Sequence, residues 1–295
     1  MVQTHSLSGK IVTVLAYLIL TLLALSCLIP LVNTVAISFS DKAAVMASQV
    51  SFCPVRFTTA AYERLLADRQ YLVSFLNSVE RVALGGAINF ALTVLMAFPL
   101  SKGQRYFPRK NIYLWYIVFC MLFAGGLVPS YILISRLGLR NTIWSLVLPS
   151  GVPIFNVIVL MNYFKGLPEE LDEAARLDGA TPWISLARIY LPLSLPCLAT
   201  ITLFSVVGHW NAWFDGIIYI DRSVNMPLQS YLWQLTVEIQ TTSTMSPEEL
   251  HRMQELSAKN FNAAKVFVSM VPILCVYPFL QRFFVSGLVL GSVKG

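Results

Sequence analysis

The chain has 295 residues, of which 56% are hydrophobic and only 12% are charged, whereas typical soluble domains carry about 25% charged residues. This composition excludes an ordinary soluble domain and predicts an integral membrane protein. The net charge of +6 does not indicate a nucleic-acid-binding protein, because the basic residues are scattered through short loops and form no stripe or patch. The five cysteines lie far apart without a Cys-x-x-Cys pair, so we expect neither a metal site nor a disulfide framework.

The first predicted span covers residues 12–38. No charged residue lies between Lys10 and Asp41, which leaves more than the roughly 20 residues that a helix needs to cross the hydrocarbon core. A cleaved signal peptide is the alternative, but the apolar run continues past Ser26 and Cys27 and is too long for one. We therefore expect an uncleaved anchor followed by a polar external loop.

The second predicted span covers residues 72–100 and carries Asn77, Glu80 and Arg81 near its outer end. The segment that follows it, SKGQRYFPRK, has four basic residues and no acidic one. Short loops rich in Lys and Arg stay in the cytoplasm, so we place this loop on the cytoplasmic side.

Spans three and four are predicted at residues 112–134 and 142–164. In span three, the pair Gly125-Gly126 allows a close approach between helices or a bend. Span four is interrupted by the two prolines of PSGVP, and broken backbone of this kind must face protein or a cavity and not lipid.

A charged segment, residues 165–192, follows span four. Pro168 and the acidic residues after it fit the first turn of a helix, which Gly179 can end in a left-handed conformation. Thr181 before Pro182 fits the cap and first residue of a second helix. The segment therefore predicts a cytoplasmic helix-turn-helix. The apolar face expected for its first helix consists of Leu171, Ala174, Ala175 and Leu177, and the side chains expected to stay exposed are Glu173, Arg176 and Asp178.

The same segment carries the pattern E-A-A, three residues, G, nine residues, I-x-L-P. It resembles the EAA loop of permease subunits in binding-protein-dependent ABC importers; an ordinary cytoplasmic helical hairpin would explain the caps but not the fixed positions. The resemblance implies an all-α membrane protein with the six transmembrane helices of the type I ABC importer permease fold and a cytoplasmic coupling helix that contacts the ATPase. The residues implied to couple to the ATPase are Glu173, Ala174, Ala175, Asp178, Gly179, Ile189, Leu191 and Pro192.

Topology agrees with this placement, because two spans separate the basic loop from the EAA segment and put both on one side. Span five is predicted at residues 193–218 and span six at 263–285, with both termini in the cytoplasm and the whole chain, 1–295, forming one permease domain. The external loop 221–262 corresponds to the loop that contacts the substrate-binding protein in the importers that this chain resembles. A mobile linker is the alternative.

The end of span five, HWNAWFDG, places aromatic, amide and acidic side chains in or beside the membrane. Rings cover the apolar faces of sugars and amides bond their hydroxyls, so a sugar pathway is one interpretation and an interfacial aromatic belt is the other. The Trp-Asn pair and the ending QRFFVSGLVLGSVKG resemble carbohydrate permeases, in particular the oligosaccharide group that includes importers of uronate oligomers such as alginate fragments. The candidate pathway residues are Asn77, Glu80, Arg81, Trp210, Asn211, Trp213 and Asp215.

The sequence contains no G-x-x-x-x-G-K-[ST] phosphate loop and no catalytic constellation, so we expect a non-catalytic translocation subunit without a cofactor. The resemblance implies a sugar or oligosaccharide importer of a bacterial inner membrane, with a second permease, two ATP-binding cassette subunits that bind ATP and Mg²⁺, and an extracytoplasmic binding protein. The alternatives are a permease for amino acids or another small solute, and a membrane enzyme or receptor that uses the acidic loop for docking.

Overall fold

The structure of the protein, a computed structural model, describes residues 7–240 and 259–291. These residues are helical apart from short connections and one isolated antiparallel bridge between Ser40 and Phe57. The α-helices are α1 (Leu7–Ser38), α2 (Lys42–Met46), α3 (Ala60–Ala67), α4 (Arg69–Ser101), α5 (Lys110–Leu122), α6 (Leu127–Arg136), α7 (Trp144–Val147), α8 (Ile154–Lys165), α9 (Glu169–Leu177), α10 (Pro182–Ser185), α11 (Leu191–Leu193), α12 (Leu195–Asn211), α13 (Phe214–Tyr219), α14 (Leu228–Gln240) and α15 (Lys259–Gly291). Two 3₁₀ turns cover Leu148–Ser150 and Ser223–Asn225, and a π-helical segment covers Leu186–Tyr190.

One compact unit comprises residues 1–69 and 238–271. The apolar stretch of α1 has a mean hydropathy of 2.6 and none of it is buried within the protein, as expected of a helix surrounded by lipid. Beyond α1, Phe39 stacks on Tyr62 of α3 with 4.6 Å between ring centroids. The Tyr62 hydroxyl lies 2.7 Å from the Ser38 hydroxyl, which ties α3 back to the end of α1.

The other compact unit comprises residues 70–237 and 272–295, and most of α4 belongs to it. Near the C-terminal end of α4, Phe98 packs edge-to-face against Phe164 of α8 and Tyr190 of the π-helical segment, with centroids 6.3 and 5.1 Å apart. Such aromatic pairs contribute about 0.5–1.5 kcal/mol each beyond the area they bury. One apolar core therefore joins α4, α8 and the segment that leads into α12.

Two helices are long and apolar enough to cross a membrane, Gly9–Ser38 and Arg69–Ser101, and three bent helix pairs raise the number to five in the described part of the chain. Two of the bent pairs coincide with predicted spans three and four, and the third, Pro182–Leu193 with Leu195–Asn211, joins the end of the EAA segment to most of predicted span five. The predicted sixth span falls within α15. The count of six spans remains a prediction.

Predicted span three is not one continuous helix, because α5 and α6 meet at 109°. Gly125 and Gly126, between them, have φ angles of +62° and +94°, a region that residues with a Cβ rarely adopt. The glycine pair was expected to allow either a close approach between helices or a bend, and in the structure it forms a bend. Span four breaks where its prolines predict, at 44°.

Predicted span five, residues 193–218, is also broken. The helical stretch Pro182–Leu193 meets α12 at 84°, and α12 itself ends at Asn211, where Ala212 is extended with ψ of 123°. Pro192 and Pro196 cannot donate backbone hydrogen bonds, so the helical ladder weakens where the chain turns. The expectation of a single helix here is wrong, and the break separates the EAA segment from the span that follows it.

Candidate functional site

One face of α4 carries small and polar side chains that are buried in the protein. Steps of three or four residues return to the same side of a helix, so these side chains form one inward-facing row. Its members are Ser74, Ser78, Arg81, Gly85 and Asn89.

The Arg81 guanidinium of this row forms a two-point ion pair with Asp215. Nη1 donates to Asp215 Oδ1 at 3.0 Å and Nη2 donates to Oδ2, while Asp215 Oδ1 also accepts from the Gly216 backbone N–H at 2.8 Å. The Arg81 side chain is 2% exposed and that of Asp215 is 28% exposed. The break after α12 lets α13 begin beside α4, which brings the two predicted pathway residues together.

About two turns beyond Arg81 on α4, Asn89 holds the backbone of the broken fourth span and the His209 ring of α12. Its Nδ2 donates to the carbonyls of Ser150 at 2.7 Å and Gly151 at 3.0 Å. Its Oδ1 is therefore the acceptor facing His209 Nε2 at 3.0 Å, so His209 Nε2 carries a proton and donates it. A Cβ on Gly85 would lie 2.5 Å from the same ring, so this glycine is needed for the close approach.

These groups border a cavity of about 510 Å³, within the range of roughly 300–1,000 Å³ found for small-molecule sites. The amide of Asn156 lies in its wall and donates to the Ile201 carbonyl and the Ser205 hydroxyl, both at 3.2 Å. The polar lining consists of Arg81, Asn89, Ser150, Asn156, Ser205, His209 and Asp215.

The other predicted pathway residues lie outside this lining. Asn77 donates to the carbonyls of Val224 and Met226. The remaining placements are as follows: Glu80 and Asn211 are exposed, Trp210 is buried edge-to-face against Phe75 at 5.6 Å, and Trp213 stacks on Trp233 at 5.2 Å. Asn89, Asn156 and Ser205 were not predicted as cavity residues, although the periodic polar row on α4 was a signal for Asn89. His209 was predicted to lie in or beside the membrane but not among the pathway residues.

In the segment 165–192, the predicted helix-turn-helix is confirmed. Gly179 has φ of +77°, and its N–H and that of Ala180 bond to the Arg176 and Ala175 carbonyls at 3.0 and 2.8 Å, the pattern that ends a helix at a left-handed glycine. The Thr181 hydroxyl accepts from the Ile184 N–H and caps the next helix. Pro168 precedes the first helical residue by one position instead of occupying it.

The expected apolar face of α9 is wrong. Leu177 is 89% exposed, whereas Asp172 and Ala175 are each only 8% exposed. The buried side of the helix is set by ion pairs of Asp172 with Lys102 and Arg176, both at 2.9 Å, which amphipathicity cannot reveal.

The residues of the EAA motif divide into an exposed group and a packed group. The exposed ones are Glu173, Ala174, Asp178, Gly179 and Pro192. Ile189 and Leu191 are partly buried against the core of α4 and α8. The exposed group leaves a surface of α9 and its turn available for a partner.

At the opposite end of the same unit, Asn141 holds the start of the predicted external loop. Its backbone is left-handed, with φ of +59°, and its Oδ1 accepts from the N–H groups of Asp221 at 2.6 Å and Arg222 at 3.1 Å. The side-chain hydrogen bond from Asn141, together with Arg140, keeps the pKa of Asp221 below its usual value.

Comparison with known proteins identifies the class. The model of the family described as binding-protein-dependent transport system inner membrane component matches residues 81–288. The chain is 34% identical over 299 residues to protein LplC of Bacillus subtilis (strain 168), covering 100% of both chains. It is 33% identical over 289 residues to the polygalacturonan/rhamnogalacturonan transport system permease protein YtcP of the same organism, covering 98% of this chain and 100% of YtcP.

A crystal structure of a bacterial ABC transporter involved in the import of the acidic polysaccharide alginate contains a chain with a similar fold. The TM-score is 0.83 and the identity 29%, with 95% of this chain and 99% of that chain covered. The protein belongs to the family of binding-protein-dependent transport system inner membrane components. It is a multi-pass permease subunit of an ABC transporter, non-catalytic and without a cofactor of its own, and its resemblance to carbohydrate importer permeases is confirmed.

Proposed function

We propose that the protein is the transmembrane subunit of an ATP-driven importer for oligosaccharides, and that its substrates are acidic oligosaccharides built from uronic acids. The observation that carries the proposal is the similarity, over nearly the whole chain, to two transporters named for acidic polysaccharides. Polygalacturonan and alginate both bear a carboxylate on their sugar rings. The fragments that result from cutting such polymers are the substrates that we assign.

The pathway for these fragments passes the polar cavity beside α4. Asn156 and His209 offer amide and imidazole groups that match sugar hydroxyls, and the Arg81 guanidinium is neutralised by Asp215. The cavity therefore presents balanced charge, which lets an acidic sugar pass without being held tightly. Selection of the carboxylate then falls to the binding protein. Of the predicted pathway residues outside the lining, the exposed Glu80, Asn211 and Trp213 contact substrate as it enters or leaves, and Asn77 and the buried Trp210 support them from within the packed helices.

Helix α9 is the coupling helix of this permease. Glu173 is exposed on it, and we assign it to a cleft of an ATP-binding cassette subunit, where it pairs with a basic residue. The other motif residues shape the helix, its turn and the return into the membrane: Ala174, Ala175, Asp178, Gly179, Ile189, Leu191 and Pro192. Closure of the ATPase subunits on ATP moves this helix and switches the pathway from inward-facing to outward-facing.

The assembly has a second permease, two ATPase subunits and an extracytoplasmic binding protein, and this chain contributes six spans with both termini in the cytoplasm. The external loop 221–262 docks the binding protein. Its described part begins at the Asn141 contact and includes α14; residues 241–258 lie outside the described part of the chain. This orientation follows from the basic loop after α4 and the EAA motif.

Transport by the whole complex in proteoliposomes tests the substrate class. Labelled oligogalacturonate and alginate oligosaccharides should accumulate with ATP inside the vesicles and loaded binding protein outside, whereas maltodextrins of equal length should not. Preferential uptake of the maltodextrins contradicts the acidic assignment but leaves an oligosaccharide importer. No uptake of any of these sugars, by a complex whose ATPase responds to a loaded binding protein, contradicts the oligosaccharide assignment.

A further inference from the structure

We propose that Asp172 is a positioning residue that locks coupling helix α9 to the cytoplasmic end of α4, so that the two helices move as one body. The inference rests on the proposed coupling role of α9. Asp172 lies outside the fixed positions of the EAA motif, and its sequence context predicts only that it belongs to the acidic first turn of its helix.

The geometry around Asp172 is that of a built ion-pair site. One carboxylate oxygen lies 2.9 Å from Lys102 Nζ, and the other lies 2.9 Å from Arg176 Nη2. The side chains of Asp172 and Lys102 are each only 12% exposed. Lys102 is the first residue after α4, so this contact joins α9 directly to the end of that helix.

Aromatic rings hold both cations in place. The Lys102 ammonium lies 4.4 Å from the ring centroid of Phe98 and 3.9 Å from that of Tyr190, and the Arg176 guanidinium lies 3.6 Å from that of Tyr106. A cation over a ring face is attracted to it, and the attraction grows when water is excluded. Phe98 and Tyr190 also belong to the apolar core, so the ion pair is anchored to packed structure and not to a free loop.

This attachment gives movement of α9 a direct route to the cavity. α4 runs without interruption from Arg69 to Ser101, and at 1.5 Å per residue the helix places Arg81 about 30 Å from Lys102. A displacement of α9 therefore shifts α4 and, with it, the Arg81 side of the Arg81–Asp215 pair. Without the Asp172 carboxylate, the largely buried Lys102 ammonium loses its counter-ion beside the more exposed Arg176 guanidinium, and α9 can move without α4.

Distances between spin labels test the rigid attachment. The labels are placed at the exposed positions Gln104 and Leu177 in the complete transporter, in a variant without the native cysteines. The distance distribution should be the same with and without ATP, and Asp172→Asn should broaden it or make it depend on nucleotide. The control Glu170→Gln removes the same charge from an exposed position of α9 and should leave the distance distribution unchanged. A distance that changes with ATP in the parent protein, or an Asp172→Asn distribution equal to the parent one, overturns the proposal.

Transport provides the second readout. In Asp172→Asn, substrate moved per ATP hydrolysed should fall by roughly threefold to thirtyfold, the range expected where a residue modulates coupling without touching a ligand. The ATPase subunits should still co-purify, and the conservative variant Asp172→Glu should recover most of the ratio. If Asp172→Asn moves as much substrate per ATP as the parent protein, the role of Asp172 is overturned, but the coupling role of α9 is not. Failure of the proposed coupling role of α9 appears separately, as normal ATPase association and uptake when Glu173 is reversed.

Discussion

Arg81 and Asp215 stand 134 residues apart in the sequence and meet in a two-point ion pair at the wall of the cavity. The Arg81 side chain is 2% exposed, so its charge is compensated inside the protein. Removing one partner of a buried pair strands the other charge, whereas replacing both is far less harmful. A single and a double substitution of this pair should therefore differ in stability.

Asp215→Asn should destabilise the permease by about 3–5 kcal/mol, because the buried guanidinium loses its counter-ion. The double variant Arg81→Gln with Asp215→Asn should recover most of the loss. Thermal unfolding of the purified transporter in detergent measures both. A double variant as unstable as Asp215→Asn would show that the charge pair is not the cause.

Gly85 and Gly86 offer a matched pair of substitutions on α4. A Cβ on Gly85 would lie 2.5 Å from the His209 ring, whereas a Cβ on Gly86 meets nothing within 4 Å. Gly85→Ala should therefore displace His209 from Asn89, lower stability by about 1–3 kcal/mol and reduce uptake. Gly86→Ala should leave stability and uptake unchanged. Thermal unfolding and uptake assays on the two variants check this prediction. If the two variants have the same stability and uptake, the close approach at Gly85 is contradicted.

Substitutions at Gly179 test the turn that ends α9, the proposed coupling helix. Its φ is +77° and a Cβ there meets nothing within 4 Å, so the cost of a side chain is backbone strain and not a clash. The left-handed conformation costs L-residues roughly 1–2 kcal/mol, and Asn tolerates it best. We expect Gly179→Val to impair ATP-driven uptake and Gly179→Asn to retain most of it. If Gly179→Val takes up substrate at the parent rate, the left-handed conformation at this position is not required for transport.

Asn141 tests the anchoring of the external loop. Asn141→Gly keeps the left-handed backbone accessible but loses the bonds to the Asp221 and Arg222 N–H groups. We expect this variant to lose the stimulation of ATPase activity by loaded binding protein while keeping its basal rate. The hydrogen bond from Asn141, together with Arg140, lowers the pKa of Asp221 in the folded protein, so these contacts contribute at neutral pH. That contribution disappears only as the pH falls through the lowered value. If loaded binding protein still stimulates the ATPase activity of Asn141→Gly fully, the Asn141 contact is not needed for docking.

Composition and local signals predicted much of this fold. The caps and left-handed turn at Gly179 and Thr181 follow from local backbone preferences, and the EAA spacing identified the family that the comparisons confirm. The break in span five was missed, because Pro192 and Pro196 bend a membrane helix only where neighbouring packing supplies the lost hydrogen bonds.

The ion pairs of the site were harder to predict. Lys102 and Asp172 are 70 residues apart, and Arg81 and Asp215 are 134 apart. Hydropathy assigns each residue to a side of one helix but contains no information about a charged partner elsewhere in the chain. Asp172 was consequently predicted only as part of the acidic first turn of α9, and Arg81 was predicted only as a candidate pathway residue. Partner choice over such separations is decided by tertiary packing.

In the proposed function, α9 transmits ATP hydrolysis to sugar movement through Glu173. The most direct test uses the complete transporter carrying Glu173→Lys. Co-purification of the ATPase subunits is measured first, and uptake of labelled oligogalacturonate is then measured after reconstitution. Reversing one partner of a largely desolvated charge pair costs about 2–5 kcal/mol or more, so we predict weakened ATPase association and loss of ATP-driven uptake, with an intermediate effect for Glu173→Gln. Full association and uptake at the parent rate in Glu173→Lys would contradict the account.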